Sequence, residues 1–336
     1  MRLQNKNILR GALVLFLAVV FFLFQNFTAS TDLISGCISG VNSSNQPIYR
    51  CLDRPYPTGI LGGVNPNYDL YLPQDFRLSS GKKYPLVIHV HGGGWNGDKS
   101  SETNGSESMA ASGFIVANIN YTTAYKRWDS SFNATLDISS FVDLVFNPSI
   151  ANEYRIDTSK VFLTGTSAGG HLALMEATRG KHQFYFVGVG SAPTHIDQMP
   201  NPEDPNFSQL LDQVFGGQNF RSEMSPYNRV GRLNAKYFFM EHSRTDTLVP
   251  FNHALQFYEA ANASQKKYPF NLVAGNPASK DPTNGLIIGS HNFSSGSVLN
   301  SMLLQALKEG QPALINFSKS APQPKKRCRF AWLCSS

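Results

Sequence analysis

Between Cys51 and Cys328 the sequence contains no cysteine. That absence excludes a thiol nucleophile, a zinc–thiolate centre and a disulfide scaffold from the central body. Charge is scarce as well: Asp, Glu, Lys and Arg make up 15% of the 336 residues, against 41% hydrophobic. A disordered chain is thereby excluded, and there is ample apolar material for a large core. No internal repeat is visible, which excludes a solenoid. A basic face is missing too, although the formal net charge is +6. Arg2, Lys6 and Arg10 contribute +3 before the first acid, and Lys325, Lys326, Arg327 and Arg329 contribute +4 in a tail without acids, which leaves the body near −1. Such a body has no charge excess to draw it to nucleic acid. The two basic ends suit an anionic membrane surface or are simply solvated.

The first long apolar run is Gly11–Phe24, uncharged and preceded by the three cations. Residues 1–30 have the layout of a signal peptide or signal anchor. The run is shorter than the roughly 20 residues of a spanning helix, which favours a cleavable signal. No clean small-x-small site follows, so retention through residues 8–24 stays open. Either way the chain is expected to be secreted, periplasmic or otherwise extracytoplasmic, touching membrane only through this segment. In an oxidising compartment the simplest pairing of the four cysteines is Cys37–Cys51 and Cys328–Cys334, with the two other connectivities open.

Residues 31–66, rich in Gly, Pro, Asn and Ser, read as an irregular lead-in. Strand-like runs follow at Tyr68–Leu72, Pro85–Val90, Phe114–Ile119, Val161–Thr164, Phe184–Val189 and Tyr237–Glu241. Most are apolar but for a single polar residue, as in strands buried on both faces. Leu286–Ile288 and Phe270–Val273 compete for the last strand. Helical spacing marks residues 134–146, Gly169–Arg179, Asn252–Ala263 and Ser297–Leu307. This alternation predicts one α/β domain over 67–310, with a mostly parallel sheet covered on both faces and its site at the carboxyl ends of the strands. Residues 192–228, heavy in Pro, Asn and Asp, read as a cap insertion, with Trp95, Phe207 and Phe215 as candidate pocket residues. Residues 311–336 read as a basic tail.

Two motifs carry chemistry. Gly165-Thr-Ser-Ala-Gly169 lies between a strand and a helix, where an attacking serine needs small neighbours in a crowded turn; this points to Ser167 as nucleophile. His91-Gly-Gly-Gly-Trp95 directly follows a strand. Three glycines cost entropy unless backbone N–H groups must approach a ligand closely. Acyl transfer needs such donors for its oxyanion, and the N–H groups of Gly93, Gly94 and Ala168 are the candidates. A metal reading of His89 and His91 finds no carboxylate or third histidine beside them.

Together these residues resemble the α/β-hydrolase superfamily, in particular its His-Gly-Gly-Gly lipase/esterase branch, with hormone-sensitive-lipase-like and BD-FAE-type esterases. The resemblance extends from about Tyr68 to Leu307 and includes Ser225-Pro226 and Asp246-Thr-Leu-Val-Pro250. It implies a triad in the order Ser, acid, His, with Asp246 as the acid and His291 as the base. Glu241 and His253 are the rivals for those two roles, and His171 reads as a core or supporting residue. Ser243, Asn120-Tyr-Thr122 and Thr166 depart from the family pattern, and they bear on substrate rather than on catalytic groups. The expected activity is hydrolysis of a small-molecule carboxylic ester through an acyl-enzyme, with no cofactor or metal. An amidase, formamidase or peptidase with the same triad, removal of acyl groups from cell-wall polysaccharide, and a non-catalytic binding protein on the same scaffold are the alternatives.

Overall fold

Apolar runs with little polar relief can satisfy their backbone groups and bury both faces only inside a covered sheet. The computed structural model places them there. It describes residues 36–58, 66–78, 81–123, 130–199, 211–212, 214–215, 218–243, 246, 248–264 and 270–275. The chain divides into two compact units, residues 1–37 and 38–336. Of the first, only Gly36 and Cys37 are described.

In the second unit the strands are β1 (Ile38–Val41), β2 (Pro47–Pro55), β3 (Asn67–Pro73), β4 (Tyr84–Val90), β5 (Ile115–Ile119), β6 (Ile156–Thr166), β7 (Phe184–Gly190), β8 (Ala235–Ser243) and β9 (Phe270–Gly275). They form one sheet in the order β1-β2-β3-β5-β4-β6-β7-β8-β9. Pairing from β1 to β3 and from β3 to β5 is antiparallel, and every pairing from β5 to β9 is parallel. The helices are α1 (Thr103–Ala111), α2 (Ser130–Phe146), α3 (Pro148–Glu153), α4 (Ser167–Ala177), α5 (Gln218–Glu223) and α6 (Asn252–Ala263).

The strand order reverses beside β4. From β4 the chain crosses to β5 on one side and then to β6 on the other. In an open parallel sheet, such a reversal leaves a crevice at the carboxyl ends of the two diverging strands. Here those ends are Val90 and Thr166, which lead into the two motifs.

One core layer packs Met109, Ala110 and Phe114 against Val87, Val116, Phe162, Phe186 and Phe239 of the sheet. On α2, Ala134, Asp137, Ile138, Phe141, Val142 and Val145 are buried, a helical stripe with one carboxylate in it. Phe141 meets Tyr56 and Tyr68 edge-to-face, each at 5.1 Å between centroids. Pro148 opens α3 behind Asn147, whose side chain accepts the Ser149 N–H.

Residues 38–55 correct the expected irregular lead-in. They form a hairpin that extends the sheet, its loop closed by Asn42 Oδ1, which accepts the N–H groups of Ser44 and Gln46 at 3.0 and 2.8 Å. The sequence hid these strands for a physical reason. β1 is almost wholly exposed, and β2 carries Arg50, Asp53 and Arg54 around a bulge where Asp53 has φ 53°. Neither shows the regular alternation of a half-buried strand. Cys37 and Cys51 are both disulfide-bonded, whereas Cys328 and Cys334 lie outside the described residues.

β9 is the Phe270 run, paired to β8. The runs at 286–288 and 297–307, the N-terminal segment with residues 8–24, and the tail 311–336 lie outside the described residues. No helix among the described residues is long and apolar enough to cross a membrane.

Candidate active site

Ser167 occupies the junction of β6 and α4 with φ 51°, a left-handed conformation that an L residue adopts at a cost. The glycines flanking it are dictated by contact. A Cβ on Gly169 would stand 2.1 Å from the Val90 carbonyl and 2.4 Å from that of His91, and one on Gly165 would stand 2.5 Å from the Gly169 carbonyl. The first turn of α4 therefore lies directly against the end of β4. Thr166, before the serine, supplies no capping hydrogen bond, so the amino end of α4 keeps its positive potential beside the serine.

The glycine loop packs behind the serine. A Cβ on Gly92 would stand 3.0 Å from the Thr166 carbonyl and 3.4 Å from Ser167 Cβ. Gly93, Gly94 and Trp95 follow with φ of 92°, 58° and 60°, and the Asn96 N–H closes a turn onto the Gly93 carbonyl at 3.0 Å. The Gly92 carbonyl accepts from His91 Nδ1 at 2.9 Å and faces the Tyr121 hydroxyl at 3.4 Å, while that hydroxyl also donates to the His91 carbonyl at 3.1 Å. The Tyr121 ring stacks on the His91 ring at 4.3 Å between centroids. In a trans peptide the C=O and the next N–H point opposite ways. Fixing the Gly92 carbonyl thus aims the Gly93 N–H away from His91 and Tyr121.

Tyr121 is anchored in turn by Asp137 of α2, whose Oδ2 accepts the Thr122 N–H at 2.7 Å. Burial pushes the Asp137 carboxyl up to about 6. The sequence reading missed Asp137 and named Tyr121 only within the Asn120-Tyr-Thr122 departure from the family pattern. The available signals were an acid in the apolar stripe of a helix and a tyrosine just past a buried strand.

Asp246 follows β8, its N–H donating to the Ser243 carbonyl at 3.3 Å. Its Oδ1 accepts the N–H groups of Leu248 and Val249 at 2.9 and 2.8 Å, and its Oδ2 lies 3.3 Å from His242 Nε2. His242 Nε2 is also 2.8 Å from the Val249 carbonyl, so this imidazole braces the loop that holds the acid. The register aligns Thr166 with Gly190 and Gly190 with Glu241. The carboxyl ends of β6 and β8 are therefore two strand spacings apart, about 10 Å. Ser167 and Asp246 lie on the same edge of the sheet. His291 lies outside the described residues.

The rivals are placed differently. Glu241 is 1% exposed with neither carboxylate oxygen hydrogen-bonded among the described residues, and burial pushes its carboxyl up to about 8. A carboxyl that is neutral at pH 7 cannot stabilise an imidazolium by charge. His253 Nδ1 accepts the N–H groups of Thr194 and His195 at 3.1 and 3.2 Å, and burial lowers the imidazole to about 3. It stays neutral and serves as a backbone acceptor. His89 pairs with Thr164 Oγ1 at 2.9 Å. Among the described residues no group of three His, Cys, Asp or Glu is placed to hold a metal.

The described parts of 192–228 are built into the body. Ile196, Leu211, Val214, Phe215 and Met224 are buried, and the Tyr227 N–H donates to the Thr194 carbonyl at 3.0 Å. Trp95, 3% exposed, meets Phe215 edge-to-face at 4.8 Å, so these two aromatics pack on one another. Phe207 lies outside the described residues.

Comparison with known proteins agrees with the fold. The BD-FAE family model matches residues 68–261, more than half of the chain. Two Mycobacterium tuberculosis proteins are similar. The probable carboxylic ester hydrolase LipM is 25% identical over 229 residues, covering 62% of this chain and 51% of that protein. The esterase LipQ is 26% identical over 258 residues, covering 66% and 58%. The chain thus spans little more than half the length of these relatives. A crystal structure of inhibited esterase B from Lactobacillus rhamnosis superposes with a TM-score of 0.61 at 19% identity, covering 86% of this chain and 94% of that one. The chain belongs to the BD-FAE family and has the α/β-hydrolase fold.

Proposed function

We propose that this protein is a serine hydrolase that cleaves a small-molecule carboxylic ester through an acyl-enzyme on Ser167. The observation that carries the reading is the junction itself: a serine held at φ 51° at the amino end of α4, with Gly92 packed against it. Strain of this kind costs about 1–3 kcal/mol and persists where the surroundings impose it. Presenting a half-buried hydroxyl for attack is a reason for imposing it.

In this reading His291 takes the Ser167 proton as the hydroxyl attacks the ester carbonyl and returns it to the departing alcohol. Asp246 orients that imidazole and stabilises its charged form. Its two backbone hydrogen bonds and the His242 brace support this role by fixing the carboxylate. The N–H groups of Gly93, Gly94 and Ala168 receive the developing oxyanion, each worth about 3 kcal/mol. The anchored Gly92 carbonyl supports the assignment of Gly93. The names of LipM and LipQ support an ester as substrate.

The test compares wild type with Ser167→Ala by fluorophosphonate labelling and by turnover of p-nitrophenyl esters of rising chain length. Labelling and turnover confined to the wild type are expected. Equal labelling of the two proteins would exclude Ser167, and an inert wild type would favour a binding protein on this scaffold.

A further inference from the structure

The glycine loop contains a strained residue that is not glycine. Trp95 has φ 60°, a region where a side chain with a Cβ pays for its place. Gly93 and Gly94 adopt the same handedness freely. The loop conformation therefore depends on whatever holds the indole. Trp95 Nε1 donates to His171 Nδ1 at 3.2 Å. The His171 ring meets both Trp95 and Phe215 edge-to-face at 5.6 Å, so the three rings form a closed cluster.

His171 is itself fully fixed. An indole N–H only donates, so Nδ1 accepts and Nε2 carries the hydrogen. Nε2 lies 2.7 Å from the Met224 carbonyl, to which it donates. That carbonyl follows α5 (Gln218–Glu223), in the segment that precedes Ser225. The ring is 0% exposed, and burial lowers it to about 4, so it remains neutral at neutral pH. His171 lies four residues after Ser167, one turn into α4 on the helix that begins with the nucleophile.

We propose that His171 is a positioning residue that holds the oxyanion loop in register with the nucleophile by fixing the Trp95 indole through Nδ1. The inference rests on the serine-hydrolase reading. One helix then sets both halves of the site. Its first residue presents the hydroxyl, and its fifth holds the end of the loop that presents the Gly93 and Gly94 N–H groups. The Nε2 link extends the same tie to the 218–224 segment. Displacing oxyanion donors acts on the transition state more than on bound substrate, so the loss belongs in kcat.

The two ring nitrogens can be separated by substitution. Asn places an acceptor oxygen at the reach of Nδ1, and Gln places its amide at the reach of Nε2. His171→Asn therefore keeps a partner for Trp95, and His171→Gln keeps one for Met224. The experiment measures kcat, KM and thermal midpoint for wild type, His171→Asn, His171→Gln, Trp95→Phe and Ser167→Ala on one p-nitrophenyl ester. His171→Asn is expected within about threefold of wild-type kcat, while His171→Gln and Trp95→Phe fall roughly 10- to 100-fold with KM changed less than about threefold. Combining the last two is expected to cost little more than either alone.

Equal kcat for Asn and Gln, or losses confined to KM, would overturn the inference. So would a full-activity Trp95→Phe, which tests the same contact from the other side should His171→Gln not fold. Undiminished turnover by Ser167→Ala would instead overturn the underlying reading. A dead Ser167→Ala beside fully active His171 and Trp95 variants would leave that reading standing and remove only the positioning role.

Discussion

Single residues here are explained by what their neighbours allow. Gly169 is the clearest case, because the atoms that crowd its missing Cβ are backbone carbonyls that no rotamer change can move aside. Gly169→Ala is expected to destabilise the protein by about 3 kcal/mol or more, at the upper end of overpacking costs. Ester turnover should fall with it; a urea midpoint near wild type would contradict the contact. Glu241 gives a prediction of opposite sign. Its carboxyl is pushed from the ordinary 4.5 to about 8 by burial. Between those values the folded chain holds a proton that the unfolded chain has released. Stability therefore falls as pH rises through that window and is flat on either side. Glu241→Gln does not titrate, so its melting advantage over wild type should grow from pH 5 to pH 8 by several degrees and then level off. Parallel melting curves across the range would show that the carboxyl is not buried unpaired.

At the scale of elements, polar ties hold the loops that the sheet merely starts. Lys99, 6% exposed, lies in the short turn beyond the glycine loop and reaches Asp69 on β3 at 2.8 Å and Asp53 at the β2 bulge at 2.9 Å. Its backbone N–H donates to Asn120 Oδ1, and its carbonyl accepts from Asn118 Nδ2, both at 2.8 Å. Lys99→Met would leave Asp69, 4% exposed, without its cation, a loss of about 3–5 kcal/mol. Adding Asp69→Asn should recover much of it in chemical denaturation. A loss below about 1 kcal/mol would mean that the pair contributes no more than a surface ion pair.

These elements also show what the sequence could reveal. β4, β5 and β7 are predominantly apolar, with one polar residue each in β4 (His89) and β5 (Asn118), and stand within a residue or two of their expected bounds. α6 matches residue for residue, because Asn252–Ala263 has a clear apolar stripe. α1 went unread: Thr-Asn-Gly-Ser-Glu-Ser-Met-Ala-Ala has almost no apolar period, and its core contribution comes from Met109 and Ala110 at its end. The β1–β2 hairpin went unread for the same lack of alternation.

At the scale of the molecule, the fold brings two distant stretches of chain to one crevice. His91–Trp95 and Gly165–Gly169 are some seventy residues apart, and they meet because β4 and β6 are neighbours on either side of the strand-order reversal. The strand-to-helix junction at Ser167 and the glycine loop were legible because each glycine-rich motif directly follows a strand-like run. The supporting contacts of Tyr121, Asp137, His171 and His242 were not, since each depends on a partner far away in sequence. Asp246 was singled out by the family resemblance over Asp246-Thr-Leu-Val-Pro250 and by its place after β8.

In the proposed acyl-enzyme, Ser167 carries the acyl group. Rapid quenching of the protein with p-nitrophenyl acetate, followed by peptide mass spectrometry, tests it most directly. A burst of nitrophenol is expected, matched by an acetyl adduct on the peptide containing Ser167 and absent in Ser167→Ala. An adduct on another residue, or steady turnover with no adduct and no dependence on Ser167, would contradict it.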